Sequence, residues 1–100
     1  MKLKIIKIGG NVINNESKLA KALKDFAAIK TPKILVHGGG RKASELSQQM
    51  GIEQTMINGR RVTDEATLKI VTMVYSGLLN TQMVADLQAL GCNALGLNGA

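Results

Sequence analysis

The sequence predicts an α/β fold with a mainly parallel sheet, and three observations support this prediction. Short β-branched segments alternate with segments of helical periodicity along the first half of the chain. Glycines directly follow the first two extended segments, at residues 9–10 and 38–40. The second extended segment is apolar throughout residues 34–36, as in strands that are covered on both faces. Strands and helices that alternate with short connections build parallel sheets through right-handed crossovers.

Four elements are predicted in the first half of the chain. The first helix follows Asn14 and Asn15, whose side chains suit the N-cap position. Leu19, Leu23 and Phe26 then recur at helical spacing on one face. In the order strand, helix, strand and helix, the elements are expected over residues 3–8, 16–29, 33–37 and 42–50.

A β-hairpin is predicted next. Asn58 and Gly59 separate two extended segments, residues 54–57 and 60–62. Asn-Gly between extended segments is a strong hairpin signal, because both turn residues adopt positive φ. We therefore expect a hairpin that projects from the α/β body.

A long helix is predicted after the hairpin, over residues 64–90. Thr63 is the expected cap, and Asp64 in the first turn suits the positive end of the helix dipole. Gly77 and Asn80 weaken the middle of this stretch. The pattern therefore leaves two alternatives open, one bent helix or two helices.

Residues 92–97 are predicted to form a third parallel strand, after a helix end at Gly91. A third loop with a glycine follows at residues 98–99. In open α/β sheets, ligands bind beyond the carboxyl ends of the strands. Glycine lets backbone N–H groups approach an anion closely, and a following helix N-terminus adds a favourable dipole. The loops therefore predict that the chain binds an anion or a phosphate.

Composition narrows the classes of function. The chain has 13 Lys and Arg against 7 Asp and Glu, a formal net charge of +6. Nucleic-acid binding is disfavoured, because only Phe26 and Tyr75 are aromatic and no run of five basic residues occurs. The single cysteine, Cys92, excludes an internal disulfide framework. The apolar stretch behind Lys2 and Lys4 is too short for a signal peptide or a membrane span, so we expect a cytoplasmic protein that binds small anions.

Three polar side chains are candidates for the site. Lys7 shares a strand face with Leu3 and Ile5 and precedes the first glycine loop. It is therefore expected to hold an anionic group on the buried side of the strand. The alternative is that its side chain extends to the solvent. Arg61 follows the hairpin turn and either grips a carboxylate bidentately or faces solvent. His37 could be a general base, but a hydrogen-bonded structural histidine is the preferred interpretation.

Two nucleotide-binding fingerprints were compared with the glycine loops. Gly38, Gly40 and Ala43 satisfy G-x-G-x-x-[GA] after a strand, and no stretch matches G-x-x-x-x-G-K-[ST]. A dinucleotide-binding fold would need an acidic residue about 20 positions later, at the end of the next strand. Asp64 has that spacing, but it follows a hairpin and opens a helix. Dinucleotide binding is therefore disfavoured.

Four short motifs follow one another along the chain: IKIGG at residues 6–10, VHGGG at 36–40, NGRRVT at 58–63 and LGLNG at 95–99. Together they resemble the N-terminal half of the N-acetylglutamate kinases, a branch of the amino acid kinase family. The first motif is shared broadly in that family, and N-G-x-R-V-T is close to diagnostic of the branch. The resemblance covers essentially all 100 residues. It implies an α/β three-layer sandwich with a mainly parallel central sheet and a projecting β-hairpin lid.

The resemblance also implies an activity. Such kinases use ATP and Mg²⁺ to phosphorylate the γ-carboxylate of N-acetyl-L-glutamate, or of another N-acylglutamate, to an acyl phosphate in arginine biosynthesis. Catalysis of phosphoryl transfer is mostly positioning and charge stabilisation. Carried over to this sequence, Lys7 stabilises the transition state at the transferring phosphoryl group. Gly9 and Gly10 offer backbone donors to the phosphates.

On the acceptor side, the resemblance implies that Gly39 and Gly40 bind the substrate through their N–H groups. Arg61 pairs with the α-carboxylate, and the hairpin covers the acylated substrate. Arg60 stands where the family often has an aliphatic residue. A solvent-facing side chain is the simpler interpretation of Arg60, and a contact to a charged acyl group such as succinyl is the alternative. No metal ligand is assigned in this part of the family's sequence.

Residues 1–100 are thus expected to be the N-terminal, acyl-glutamate-binding part of an amino acid kinase domain, without its C-terminal ATP-binding part. Alone, the chain is expected to be inactive. The resemblance further implies a homodimer packed through the long helix from Asp64, insensitive to arginine, with no nucleic-acid or membrane partner. Two alternatives remain, another kinase of the family acting on carbamate, aspartate or a nucleotide, and a non-catalytic anion-binding module.

Overall fold

The computed structural model describes residues 2–53, 55–58 and 60–99, and for Thr55, Met56 and Arg61 it describes the backbone alone. The elements alternate between strand and helix and then end in a long helical stretch. In chain order they are β1 (Lys4–Ile8), α1 (Gly10–Ile13), α2 (Glu16–Ala27), β2 (Lys33–His37), α3 (Lys42–Gln49), β3 (Thr55–Ile57), β4 (Arg60–Val62), α4 (Glu65–Val71), a π-helical segment (Thr72–Asn80) and α5 (Thr81–Ala89).

β1 and β2 form a parallel pair, as the strand–helix–strand order predicts. Their register runs from Lys4 opposite Lys33 to Ile8 opposite His37. The helices cover one face of this pair, where Ile8 is buried. The buried apolar side chains of the core come from β1 and from the helical elements: Ile8, Ile13, Leu23, Phe26, Ala43, Ile70, Val74, Leu79, Met83 and Leu87.

The opposite face of the pair is open in this chain. Its apolar side chains are between 42% and 64% exposed, namely those of Leu3, Ile5, Ile34 and Val36. Lys7 lies on this same face and is also exposed. The prediction that the Lys7 side chain lies on a buried face is therefore wrong for this chain. The physical reason is that the helices described here all pack on the side of Ile6 and Ile8.

The first long helix, α2, is fixed at both ends by side chains. Asn15 is its N-cap, because its Oδ1 accepts a hydrogen bond from the N–H of Lys18 at 3.1 Å. At the other end, Nζ of Lys33 donates to the carbonyl oxygens of Phe26, Ala27 and Ile29 at 2.8, 3.1 and 2.7 Å. The ammonium also lies 5.0 Å from the ring centroid of Phe26. The predicted helix ends two residues early, at Ala27, because these terminal carbonyls turn toward Lys33 instead of continuing the helix.

The predicted hairpin is present. β3 and β4 pair antiparallel, with Thr55 opposite Val62 and Ile57 opposite Arg60. Asn58 has φ of 52°, as a type I′ turn requires of its first residue. The predictions for Gln54 and Gly59 lie outside the described residues.

The stretch predicted as one bent helix or two is continuously helical from Glu65 to Ala89, but its middle nine residues are π-helical. Gly77 and Asn80, the two residues that weaken helix propensity, both lie in this middle segment. The cap is Asp64 and not Thr63, because Oδ1 of Asp64 accepts a hydrogen bond from the N–H of Thr67 at 2.8 Å. Asp64 has extended backbone angles, so it precedes the helix and does not form its first turn.

The predicted third strand, residues 92–97, is wrong: the described residues of this segment pair with no strand. A cavity of about 1060 Å³ is lined by this segment and by residues of β2. A strand needs a neighbouring edge within hydrogen-bonding distance. Side chains satisfy two carbonyls of the segment instead, since Gln88 donates to Ala94 at 3.0 Å and Asn80 donates to Leu97 at 3.3 Å. The predicted helix end is confirmed by Gly91, whose φ is +82°.

Candidate active site

Two glycine loops meet where β1 and β2 end. Because the two strands are parallel neighbours, their carboxyl ends lie at the same edge of the pair. Gly9 follows β1 as the N-cap of α1, and Gly10 is the first residue of α1. A Cβ atom on Gly10 would lie 3.4 Å from Cα of Gly40, which follows β2. The structure therefore brings the predicted phosphate-binding glycines against the predicted substrate-binding glycines.

The side chain of Asn14 joins these two loops. Its Oδ1 accepts a hydrogen bond from the backbone N–H of Arg41 at 2.9 Å. Gly40 has φ of +57°, and a Cβ atom there would collide with Oδ1 of Asn14. Two features therefore require glycine at position 40: the left-handed backbone conformation and the lack of space for a Cβ atom beside the side-chain amide of Asn14.

Tyr75 closes the other side of the second loop. Gly39 is buried, and a Cβ atom built on it would fall inside the ring of Tyr75. Tyr75 belongs to the π-helical segment, so the loop lies between that segment and Asn14. The peptide groups of residues 38–40 are consequently held from two directions.

The remaining side of both loops is open. Apart from the adjoining residues of the chain, no atom of the described residues lies within 4 Å of where a Cβ atom would stand on Gly9 or on Gly38. In α1 the N–H groups of Val12 and Ile13 donate to the carbonyl oxygen of Gly9, so the donors that a helix N-terminus can offer to a bound group are those of Gly10 and Asn11. Open backbone at a loop, next to such donors, is the geometry that lets an oxyanion approach.

Lys7 adds a positive charge at the same edge of the sheet. It is the residue before Ile8, the last residue of β1, and stands opposite Val36 in the register with β2. Its side chain is exposed and shares the open face described above. An exposed ammonium two residues before Gly9 can reach a group that binds above the open side of the loops.

His37 is held in place by two hydrogen bonds. Its Nδ1 lies 2.9 Å from the carbonyl oxygen of Gly38, and its Nε2 lies 3.1 Å from Oδ1 of Asn80. Both ring nitrogens therefore have an oxygen of the protein within hydrogen-bonding distance. The preferred prediction, a hydrogen-bonded structural histidine at a strand end, is confirmed.

The hairpin carries the two predicted arginines. Arg60 is the first residue of β4, and its side chain is exposed. Arg61 stands opposite Met56 in the hairpin register, while its side chain lies outside the described part of the chain. The roles given to both residues remain predictions.

Two further properties bear on the site. Within residues 2–53, 55–58 and 60–99, no three or more His, Cys, Asp or Glu side chains come together in a way that could hold a metal ion. In the same residues, none of the helices has the length and apolar character needed to cross a bilayer.

Three residues that shape the site escaped the sequence analysis in this role: Asn14, Tyr75 and Asn80. The sequence pattern indicates a helix cap at Asn14 and a weak point of a helix at Asn80. The available signal was an asparagine, a residue of low helix propensity, at position 80 inside a predicted helix. Such a residue indicates a tertiary hydrogen bond, because a buried amide without partners is costly.

Comparison with known proteins agrees with this geometry. The chain is 61% identical over 99 residues to the acetylglutamate kinase of Parabacteroides distasonis, covering 99% of this chain and 39% of that protein. It is equally similar, at 61%, to the acetylglutamate kinase of Cytophaga hutchinsonii, and it is 43% identical over 97 residues to that of Methanopyrus kandleri. The chain spans about two fifths of the length of these relatives.

A solved structure and a family model extend the comparison. The crystal structure of smu.665 from Streptococcus mutans matches with a TM-score of 0.71 and 26% identity, over 89% of this chain and 37% of that one. The model of the amino acid kinase family matches residues 2–100. Because that match spans nearly the whole sequence, the chain is a member of the amino acid kinase family.

Proposed function

We propose that the protein containing this chain, at the length of its relatives, transfers the γ-phosphoryl group of ATP to the γ-carboxylate of an N-acylglutamate, with N-acetyl-L-glutamate as the first candidate. The product is an acyl phosphate for arginine biosynthesis. The proximity of the two glycine loops is the observation that carries this proposal, since a Cβ atom built on Gly10 would already lie 3.4 Å from Cα of Gly40. The relatives named acetylglutamate kinase support the same substrate.

The chemistry requires two anions to be held side by side. A γ-carboxylate oxygen forms a bond to the γ-phosphorus while the bond from that phosphorus to the bridging oxygen breaks, and ADP leaves. Backbone donors at Gly9 and Gly10 would bind the phosphates, and those at Gly39 and Gly40 would bind the acceptor. Lys7 would neutralise charge on the transferring group. Mg²⁺ enters as part of the nucleotide substrate, and the open backbone at Gly9 leaves space for the phosphates.

A three-layer sandwich belongs to this proposal. The exposed apolar face of the β1–β2 pair supports it, because a sheet face with several exposed aliphatic side chains calls for a covering layer. The hairpin would act as the lid over the acylated substrate, with Arg61 paired to the α-carboxylate. Residues 1–100 would then form the acyl-glutamate-binding part of the domain, and this part alone would be inactive.

A homodimer is also proposed. Three large apolar side chains on the long helical stretch are 46–53% exposed, and they support a contact between two such stretches: Leu68, Met73 and Leu78. The proposed location is the cytoplasm, with no nucleic-acid or membrane partner. Neither alternative function, another substrate of the family or a non-catalytic module, is favoured by the named relatives.

Trapping of the acyl phosphate with hydroxylamine tests the proposal in the full-length protein. Wild type should form the hydroxamate from N-acetylglutamate and ATP. Lys7→Ala should mainly lower kcat, and Arg61→Ala should mainly raise KM for the acylglutamate. Lys4→Ala, an exposed lysine at the start of the same strand, is the matched control and should retain activity. Equal turnover in Lys7→Ala, Arg61→Ala and wild type would overturn the assignment.

Arg60 carries a narrower proposal about the acyl group. Arg60 and Arg61 are adjacent in β4, and strand alternation predicts that the side chains of adjacent residues lie on opposite sides. If the acyl group bears a carboxylate, as succinyl does, Arg60 on the lid can pair with it. The ratio of kcat/KM for N-succinylglutamate over N-acetylglutamate should then exceed one, and should drop about tenfold in Arg60→Leu. An unchanged ratio assigns the exposed Arg60 to the solvated surface.

A further inference from the structure

Asn14 is attached to both glycine loops at once. Its backbone N–H donates to the carbonyl oxygen of Gly10 at 2.8 Å, which ties its main chain to the first loop. Its side-chain Oδ1 accepts from the N–H of Arg41 at 2.9 Å, 27 residues further along the chain. One residue thus spans the junction between the loop after β1 and the loop after β2.

The hydrogen bond to Arg41 fixes the geometry of the second loop at its last glycine. Arg41 is the residue between Gly40 and α3, and it is the N-cap of that helix. The N–H of Arg41 belongs to the peptide group that joins Gly40 to Arg41. Because Oδ1 of Asn14 binds this N–H and also fills the space beside Cα of Gly40, it sets both the orientation and the position of that peptide.

Each loop keeps its own backbone donors when Asn14 is changed. The donors at Gly9 and Gly10 depend on β1 and α1, and those at Gly39 depend on β2 and on the contact with Tyr75. What the side chain of Asn14 supplies, within the part of the chain that the structure describes, is a polar link between the two loops. The distance between an acceptor oxygen and a phosphorus held on separate loops therefore depends on this link. A displacement of about 1 Å in such an arrangement can cost about 100-fold in rate.

We infer that Asn14 is a positioning residue for phosphoryl transfer: it holds the acceptor-binding loop at the correct distance from the phosphate-binding loop. This inference rests on the proposed function. It predicts a specific kinetic pattern, in which loss of the link lowers kcat while each substrate still binds to its own loop.

Asn15 provides a matched control. It is the neighbouring residue of the same type, and its Oδ1 also accepts a backbone hydrogen bond, from the N–H of Lys18 at 3.1 Å. That bond caps α2 and does not reach either glycine loop. Asn15→Ala therefore removes a comparable hydrogen bond and lowers stability, without touching the link between the loops.

The experiment uses the full-length protein and the variants Asn14→Ala, Asn14→Asp and Asn15→Ala, with kcat, both KM values and Tm measured for each. Asn14→Ala should lower kcat at least tenfold with both KM values within about threefold of wild type. Asn14→Asp keeps the acceptor oxygen and should retain kcat within about threefold, whatever its added charge does to KM for ATP. Asn15→Ala should lower Tm and leave kcat within about twofold.

Two outcomes would overturn the inference: an unchanged kcat in Asn14→Ala, or an equal loss of kcat in Asn15→Ala. Amide hydrogen exchange at Arg41 separates this inference from the proposed function, because it requires no turnover. Protection of that amide should be present in wild type and Asn14→Asp and lost in Asn14→Ala. A wild-type protein that forms no acyl phosphate contradicts the function, whereas equal exchange in all three proteins contradicts the link.

Discussion

Nε2 of His37 lies 3.1 Å from Oδ1 of Asn80, across 43 residues of sequence. Nδ2 of the same asparagine donates to the carbonyl oxygen of Leu97 at 3.3 Å. Asn80 thus connects the carboxyl end of β2 with residues 92–99, although among the described residues no backbone ladder joins them. This amide, at the end of the π-helical segment, holds the last segment, together with the bonds from Gln88 to Ala94 and from Asn98 to Ser76.

Replacement of Asn80 by alanine should destabilise the protein. Two hydrogen bonds are lost and the half-buried ring of His37 loses a partner, so we expect the free energy of unfolding to fall by about 1–3 kcal/mol. Urea denaturation measures the change. Gln82→Ala is the control. It removes an exposed hydrogen bond between Gln82 and Asp86, both in α5, and should change the free energy of unfolding by less than about 0.5 kcal/mol. Equal effects of the two substitutions would contradict the role given to Asn80.

The fit between Gly39 and Tyr75 predicts different effects at adjacent glycines. Gly39→Ala places a methyl group inside the ring of Tyr75 and should cost about 1–3 kcal/mol through overpacking. Gly38→Ala meets no atom within 4 Å and should cost less than about 0.5 kcal/mol. In a double-mutant cycle, Gly39→Ala should cost less when Tyr75 is already alanine. Additive effects would show that the ring does not press on the loop.

Lys33 should contribute more to the free energy of unfolding than an exposed surface lysine does. Its ammonium donates to three carbonyl oxygens at the end of α2. Lys33→Met keeps most of the apolar stem but removes these bonds, and should lower the free energy of unfolding by about 1.5–3 kcal/mol. Lys30→Met removes an exposed lysine from the same connection and should be close to neutral. Similar denaturation midpoints for both variants would refute this assignment.

The cap of α4 should give a pH-dependent contribution to stability. The backbone N–H of Thr67 holds the pKa of the Asp64 carboxyl below its ordinary value, because it binds the charged form. A lowered pKa in the folded protein means that the contribution is complete above the unfolded pKa of about 3.9 and is lost as pH falls through the folded value. The variant Asp64→Asn cannot titrate. The difference in Tm between wild type and Asp64→Asn should therefore shrink between pH 5 and the acid limit, and a difference that stays constant would exclude this contribution.

The order of elements could be predicted because it depends on local patterns. The apolar run of β2, the glycines after both strands and the Asn58 turn each specify a backbone state within a few residues, and the structure has all three. The helix cap was misassigned by one residue because Thr63 and Asp64 both suit that position. Only the hydrogen bond from the N–H of Thr67 distinguishes them.

Properties that depend on distant partners could not be predicted. The apolar pattern of residues 92–97 indicates an extended backbone, but strand formation requires an edge within reach, and a cavity lies there instead. Strand alternation correctly groups Lys7 with Leu3 and Ile5, yet it cannot say which face the helices cover. The glycines of the site could be found from sequence because two successive predicted strands each end in a run of glycines. Asn14 could not, because its partner is 27 residues away.

The π-helical segment places Tyr75 and Asn80, five residues apart, against the same end of β2, where they meet Gly39 and His37. Side chains five residues apart on an α-helix diverge by roughly 140°, since each residue turns about 100°. The i→i+5 hydrogen bonding of a π-helix brings such residues back into line, and the hydroxyl of Thr81 likewise reaches the carbonyl oxygen of Ser76 at 3.1 Å. Deleting one residue from this segment would restore α-helical turns and swing one of the two side chains away from the sheet. The length of the segment is therefore under tighter constraint than its composition, and insertions or deletions are the changes that this part of the chain tolerates least.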